Sequence, residues 1–362
     1  MAAAAILSAG ICLIAVPAAA CAPPADALFD VSRLPAFAEP RAHPLIGRVI
    51  DLRSPAGQPL PCPVSGVEQL LRVLGAADID PGKPVRARLL VLGEVHDNPA
   101  HHALRAALVE VLSVSRGDRA PFAAKPALVF EHIRADQQPD LDRFAEFDRT
   151  ARRLGTTGDL LRMLDWDKSG WPDKAMFEPL FAAALRARLP IVPGDPPRKT
   201  VRRVAREGLA ALDAAEIARL GLSRPFDEGL QDALLTDLEA SHCGLMPKSR
   251  FTKLAEAQRY RDAFQAAALV VAGQQHGAAI LFAGNGHART DRGVPYYVRQ
   301  LAPAANIVSI QLVEVEDGRT ETDYYVPRGS GGMPAVDFII LTPRAPRADP
   351  CEEMKKAFAK PK

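Results

Sequence analysis

Short, continuously apolar runs alternate with amphipathic stretches along this chain, and that alternation limits the fold more than any other feature. The runs are "ARLLVLGEV" (87–95), "PALVFEH" (126–132), "RLPIVPGD" (188–195) and "GAAILFAGNGH" (277–287), followed by "ANIVSIQLVEV" (305–315) and "AVDFIILTP" (335–343). A run that is apolar at successive positions reads as a strand buried on both faces, and such strands belong to parallel sheets covered by helices. Helical patterns lie between them. "NPAHHALRAALVEVLSVS" begins with Asn98 as N-cap and Pro99 at the first helical position, and "VSGVEQLLRVLGAA" (64–77) has Ser65 available as a cap. "LIGRVIDL" (45–52) alternates and reads as a short edge strand. The expected fold is therefore α/β, a mostly parallel sheet with helices on both faces. Residues 198–272 carry no strand signal and predict a helical insertion that covers the sheet as a lid.

The opening segment, "MAAAAILSAGICLIAVPAAA", is small and apolar, lacks Lys and Arg, and ends in Ala18-Ala19-Ala20 just before Cys21. It reads as a secretion signal. Small residues ahead of a cysteine suit lipid attachment, which makes Cys21 the lipidation candidate and "APPADA" the start of a tether; the alternative is an ordinary signal cut before a passive Cys21. The expected organisation is a signal peptide over 1–20, a tether and irregular segment over 21–63, one α/β domain over 64–345 with its insertion, and a tail over 346–362. With Cys21 lipidated, Cys62, Cys243 and Cys351 remain. Cys62 and Cys351 both sit in proline-rich segments near the chain ends, so a Cys62–Cys351 disulfide is expected. Lys and Arg number 45 against 43 acids, and no basic tract interleaves with aromatics, which argues against nucleic acid as a partner.

In open α/β sheets ligands bind beyond the carboxyl ends of the strands. Each of the four main runs ends in polar chemistry: Glu94, His96 and Asp97 after the first, Glu131-His132 in the second, Asp195 in the third, and Asn285 and His287 in the fourth. Glu94 and His96, two apart, face one side of an extended chain. Glu94, His96, Glu131 and His287 could activate water as a catalytic set, and Glu94, His96, Asp195 and His287 could hold a divalent metal. The glycines around Asn285 would allow close backbone approach through positive φ. In the lid, Gln258 and Asp262 share a helix face, Arg259 and Asp262 could form an ion pair, and His242 closes a helix. His96, His242, Gln258, Asp262 and His287 are thus the candidates for binding a cofactor. His101 and His102, in the first turn of a helix, are expected to be neutral; they could coordinate, but the plainer reading has one of them facing solvent. No G-x-S-x-G elbow, phosphate loop or G-x-G-x-x-G is present.

Taken in order, "GEVHDNPAHH", "LVFEH", "DW…GWP" (165–172), "SHCGLMP", "AEAQRYRDAF" and "FAGNGHARTDRGVP" resemble the ChaN-like haem-binding lipoprotein family over roughly residues 64–300. That family is similar to the Tiki metalloproteases, the TraB/PrgY proteins and the erythromycin esterases. The resemblance implies haem as cofactor, iron or haem uptake, an outer-membrane lipoprotein held by a lipid anchor, face-to-face pairing of two subunits, and a receptor partner. It carries G-E-x-H onto Glu94 and His96, the second-strand acid onto Glu131 and G-N-G-H onto His287, while Asp195 stands where relatives often show Asn. The residues read alone leave a second class open, a hydrolase working with or without a divalent metal.

Overall fold

The computed structural model describes residues 43–53, 88–114, 125–150 and 155–359. The expected signal peptide, the tether with Cys21, Cys62 and the helix at 64–77 lie outside the described residues. Seven strands, β1 (Val49–Asp51), β2 (Arg88–Glu94), β3 (Ala127–Arg134), β4 (Ile191–Asp195), β5 (Ala278–Gly284), β6 (Asn306–Glu314) and β7 (Phe338–Thr342), form one sheet in the order β1-β7-β6-β2-β5-β3-β4. All pairings are parallel except that of β1 with β7, so the alternating stretch is the edge strand its pattern predicts.

The helices are α1 (Pro99–Val114), α2 (Gln138–Thr150), α3 (Thr157–Met163), α4 (Lys174–Ala187), α5 (Arg198–Glu207), α6 (Ala214–Arg219), α7 (Glu228–Ser241), α8 (Thr252–His276), α9 (Val294–Leu301) and α10 (Pro350–Ala359). The pleat sends successive residues to opposite sheet faces. Leu90 and Leu92 of β2 pack with Leu104 and Leu108 of α1 and Phe177 and Phe181 of α4, while Leu89 and Val91 pack with Ala263, Ala266 and Leu269 of α8 and Val298 of α9. Helices therefore cover both faces. The alanines of α8 let it lie close to the sheet, and Gly277, at φ 77°, turns it directly into β5. Because α8 runs antiparallel to the strand it feeds, its first half lies over the strands' carboxyl ends.

The insertion is helical as predicted, comprising α5 to α8 with short 3-10 turns between. The expected tail differs, since α10 forms there and Cys351 at its start is bonded to Cys243 just after α7. That pairing replaces the expected Cys62–Cys351 bridge. Closeness of two cysteines to the chain ends says nothing about which helix end docks where, and here α10 sits against the end of α7 with the two Cα atoms 5.4 Å apart.

Candidate functional site

Two buried polar networks meet at the carboxyl edge of the sheet, one on each face of β3. Adjacent strand residues point to opposite faces, so Glu131 joins the network under α8 while His132 joins the one against α1 and α4.

Glu94, at the end of β2, centres the second of these. Its Oε1 accepts from His96 Nδ1 and from His132 Nε2, each at 2.9 Å, and the wholly buried Arg105 guanidinium of α1 lies against Oε2. Aromatic rings close over it: His132 packs on Trp171 (4.5 Å between centroids) and Phe177 (4.8 Å), and His96 on Trp171 (4.9 Å). Burial, with the Arg105 charge behind it, holds His132 well below the usual histidine range. Burial likewise lowers His96. His96 differs from its neighbours in being open, with 37% of its side chain exposed. As a neutral ring donating Nδ1–H to Glu94, it carries its free lone pair on Nε2.

The turn that carries His96 is fixed by α1. Asn98 caps the helix by accepting from Ala100 N–H at 2.8 Å, while its amide donates to Glu314 and to the Pro343 carbonyl. His101 accepts from Val95 N–H and lies 2.7 Å from the Thr342 hydroxyl, and His102 donates to the His96 carbonyl at 2.9 Å. Burial pushes them down to about 3 and about 4, so both are neutral as expected. Both are buried, so neither faces solvent, and their nitrogens brace the turn rather than coordinate.

Under α8 the arrangement is a chain of opposite charges. Glu131 accepts from Gly284 N–H (2.6 Å), Arg261 Nη2 (2.8 Å) and His287 Nε2 (3.1 Å); His287 Nδ1 donates to Asp262 (2.6 Å), and Arg261 Nε donates to Asp195 (2.8 Å). Burial opposes the charge on His287, yet Glu131 and Asp262 at its two nitrogens outweigh it and push the ring up to about 10. Burial likewise opposes ionisation of Glu131, and His287 and Arg261 overcome it, holding the carboxyl well below its ordinary range. Burial raises Asp195 and Asp262, against the pull of Arg261 and His287 respectively. The amide of Gln258 lies 3.2 Å from His287 Nδ1, so the helix face shared by Gln258 and Asp262 is the one that meets the site.

The two networks touch at Gly284. A Cβ there would lie 2.9 Å from His96 Nε2 and 3.7 Å from Glu131 Oε2. Glycine is needed for room and not for the positive φ its pattern suggested, since neither Gly284 nor Gly286 has one. Glu94, His96, Glu131 and His287 are thus brought to one place. A cavity of about 270 Å³ opens beside them, lined by Glu131, Asp195, Arg261 and Gln258, by Arg134, Ser169, Trp171 and Arg198, and by the apolar Val201, Ala205, Leu254 and Ala257.

Three expectations are corrected. The metal set of Glu94, His96, Asp195 and His287 is divided, because Asp195 is tied to Arg261 and His287 spends both nitrogens on carboxylates. Among the described residues the donors that do gather are Glu94, His96 and His132, all within 4.8 Å. Arg105 already neutralises that carboxylate, so the residues do not fit a dication. His242 lies apart from the cavity, bonded to the Leu238 carbonyl and packed on Phe251 as the cap of α7. Arg259 does not pair with Asp262: it reaches Tyr297 and the Arg224 carbonyl, and Asp262 goes to His287. Beyond the candidate sets, the site also uses Arg105, Arg261 and Trp171, together with His132, which the sequence shows only as a polar residue at a strand tip. All four fall within quoted stretches, but nothing in the local pattern marks Arg105, Arg261 or Trp171 as site residues.

Residues 83–298 match the family described as haem-binding uptake, Tiki superfamily, ChaN. Among solved structures, ChaN of Campylobacter jejuni, described with cofacial haem binding, is similar with a TM-score of 0.55 at 17% identity, covering 81% of this chain and 95% of its own. A Bacillus cereus protein aligns over 69% of this chain and 76% of its own at 16% identity, with a TM-score of 0.27, too low to bear on the fold. No curated protein sequence matches significantly.

Proposed function

The chain belongs to the haem-binding uptake family of the Tiki superfamily, ChaN, and on that premise we propose that it binds haem at the mouth of the cavity, with His96 as the iron ligand. The observation that carries this is the state of His96. It is a neutral imidazole at the surface end of a buried network, its Nδ1–H held by Glu94 and its Nε2 free. Ligating histidines typically donate their other N–H to a carboxylate in this way. Trp171 beside it, with Val201 and Leu254 across the cavity, supplies apolar surface of the kind a porphyrin packs on. Bound iron would supply redox-active, ligand-accepting chemistry; the protein's part is to hold His96 neutral and oriented.

A cavity of about 270 Å³ falls just below the ~300–1,000 Å³ of small-molecule sites, so a porphyrin would be only partly enclosed. A second copy meeting the open face is the arrangement we propose, in the manner of the cofacial haems described for the Campylobacter protein. The Cys243–Cys351 disulfide supports an oxidising compartment. With Cys21 as lipid anchor, it supports a place in the cell envelope, with a receptor as partner in uptake. Among the described residues no helix is long and apolar enough to cross a membrane.

Haemin titration followed in the Soret band, with sedimentation of the product, tests the reading. Saturable binding by wild type, a shifted and weakened spectrum for His96→Ala, and haem-dependent dimerisation are expected. Absence of saturable binding would overturn it. For the hydrolase alternative, the charged His287 is a poor base, leaving neutral His96 as the base candidate; turnover of peptide or ester substrates that His96→Ala abolishes would favour that reading.

A further inference from the structure

The cavity's charges do not balance evenly around its wall. Its two acids are already answered, Glu131 by Arg261 and His287, and Asp195 by Arg261. Two further arginines line the same space. Arg134, at the end of β3, uses Nε on Asp136, whose own side chain is half exposed, and Arg198, at the start of α5, donates to the Ser169 carbonyl, an uncharged partner. The guanidinium of Arg198 thus has no carboxylate among the described residues, and that of Arg134 keeps its two terminal NH2 groups. Beyond Arg198 the same helix bears Lys199, Arg202, Arg203 and Arg206 on its exposed side against a single acid, Glu207. The surplus charge is cationic, and it lies on the cavity wall that α5 shares with the apolar Val201 and Ala205.

We propose that Arg134 and Arg198 form a subsite for carboxylate groups, which takes the two propionates of a porphyrin while the apolar wall takes its ring. This rests on the haem reading above and adds to it the class of ligand selected, an acidic porphyrin in preference to a neutral one. A guanidinium offers paired N–H donors in the plane of a carboxylate, a match that is both strong and directional. Glu131 and Asp195 cannot serve instead, because a propionate beside them would meet like charge. The exposed cations of α5 would raise the local concentration of an anionic ligand, an effect that salt screens.

Side-chain esterification separates the subsite from the iron bond. Haemin and its dimethyl ester share iron and ring and differ only in the propionate charges; metal-free protoporphyrin and its dimethyl ester differ in the same way without using His96. Wild type should bind each acid about tenfold to a hundredfold more tightly than its ester, as expected for charge-assisted hydrogen bonds. The Arg134→Gln/Arg198→Gln variant should bind the esters as wild type does and lose the preference for the acids. Should that variant fold poorly by circular dichroism, Arg134→Lys/Arg198→Lys, which keeps charge but not the planar fork, should retain a reduced preference. Equal wild-type affinity for acid and ester, in both pairs, would overturn the subsite and leave haem binding standing. Lack of binding by all four porphyrins would instead overturn the haem reading, and the subsite with it.

Discussion

The two networks at the sheet edge use the same residue types and arrive at opposite protonation states. His287 sits between two carboxylates and is charged; His96 shares its one carboxylate with Arg105 and is neutral. Burial disfavours charge in both places, so the difference comes from how many anions are left over for the ring. One histidine is locked as part of the scaffold. The other is half open and keeps its Nε2 lone pair unengaged among the described residues.

Removing the cation from each side should break the comparison most visibly. Arg105→Met leaves Glu94 buried with only neutral imidazoles for company and should cost about 3–5 kcal/mol of stability in denaturant unfolding. Arg261→Met leaves Glu131 still bonded to His287, and Asp195, already raised by burial, can take up a proton, so it should cost less, about 1–3 kcal/mol. Equal losses would mean that the networks are not asymmetric. A smaller effect comes from pH. The pKa of His287 is raised from 6.5 to about 10 in the folded chain, so the stability it adds is complete below about 6.5 and fades as pH rises towards 10. The stability gap between wild type and His287→Gln should therefore be widest in mild acid and close in that window; a gap independent of pH would contradict a charged ring. The smallest effect is expected at His242, outside both networks, where His242→Ala should leave haemin affinity unchanged. A loss of affinity there would draw α7 into the site.

The sheet was legible because apolar runs bounded by polar strand tips are a local pattern, and the convergence of Glu94, His96, Glu131 and His287 follows from parallel strands sharing a carboxyl edge. Pairing was less legible. Arg105 and Arg261 lie inside helices whose spacing reveals a buried face but not that a guanidinium belongs on it, and both find their acids only through tertiary packing. Cys351 at the start of α10 pairs with Cys243 just after α7, across 108 residues, a juxtaposition that neither segment encodes locally. Asp195 looked like a metal ligand as a strand-tip acid; its arginine comes from a helix more than sixty residues later. Periodicity locates an acid, and only the fold decides which cation it meets.

The central claim concerns the protonation of two rings, and long-range ¹H–¹⁵N spectra of protein carrying ¹⁵N-labelled histidine, assigned with His96→Gln and His287→Gln, read it directly. At pH 7 the account predicts both nitrogens of His287 protonated and His96 with one protonated nitrogen, Nδ1, and one free nitrogen, Nε2, whose signal shifts or broadens on adding haemin. A His287 that titrates near 6.5, or a His96 doubly protonated at pH 7 and indifferent to haemin, would contradict it.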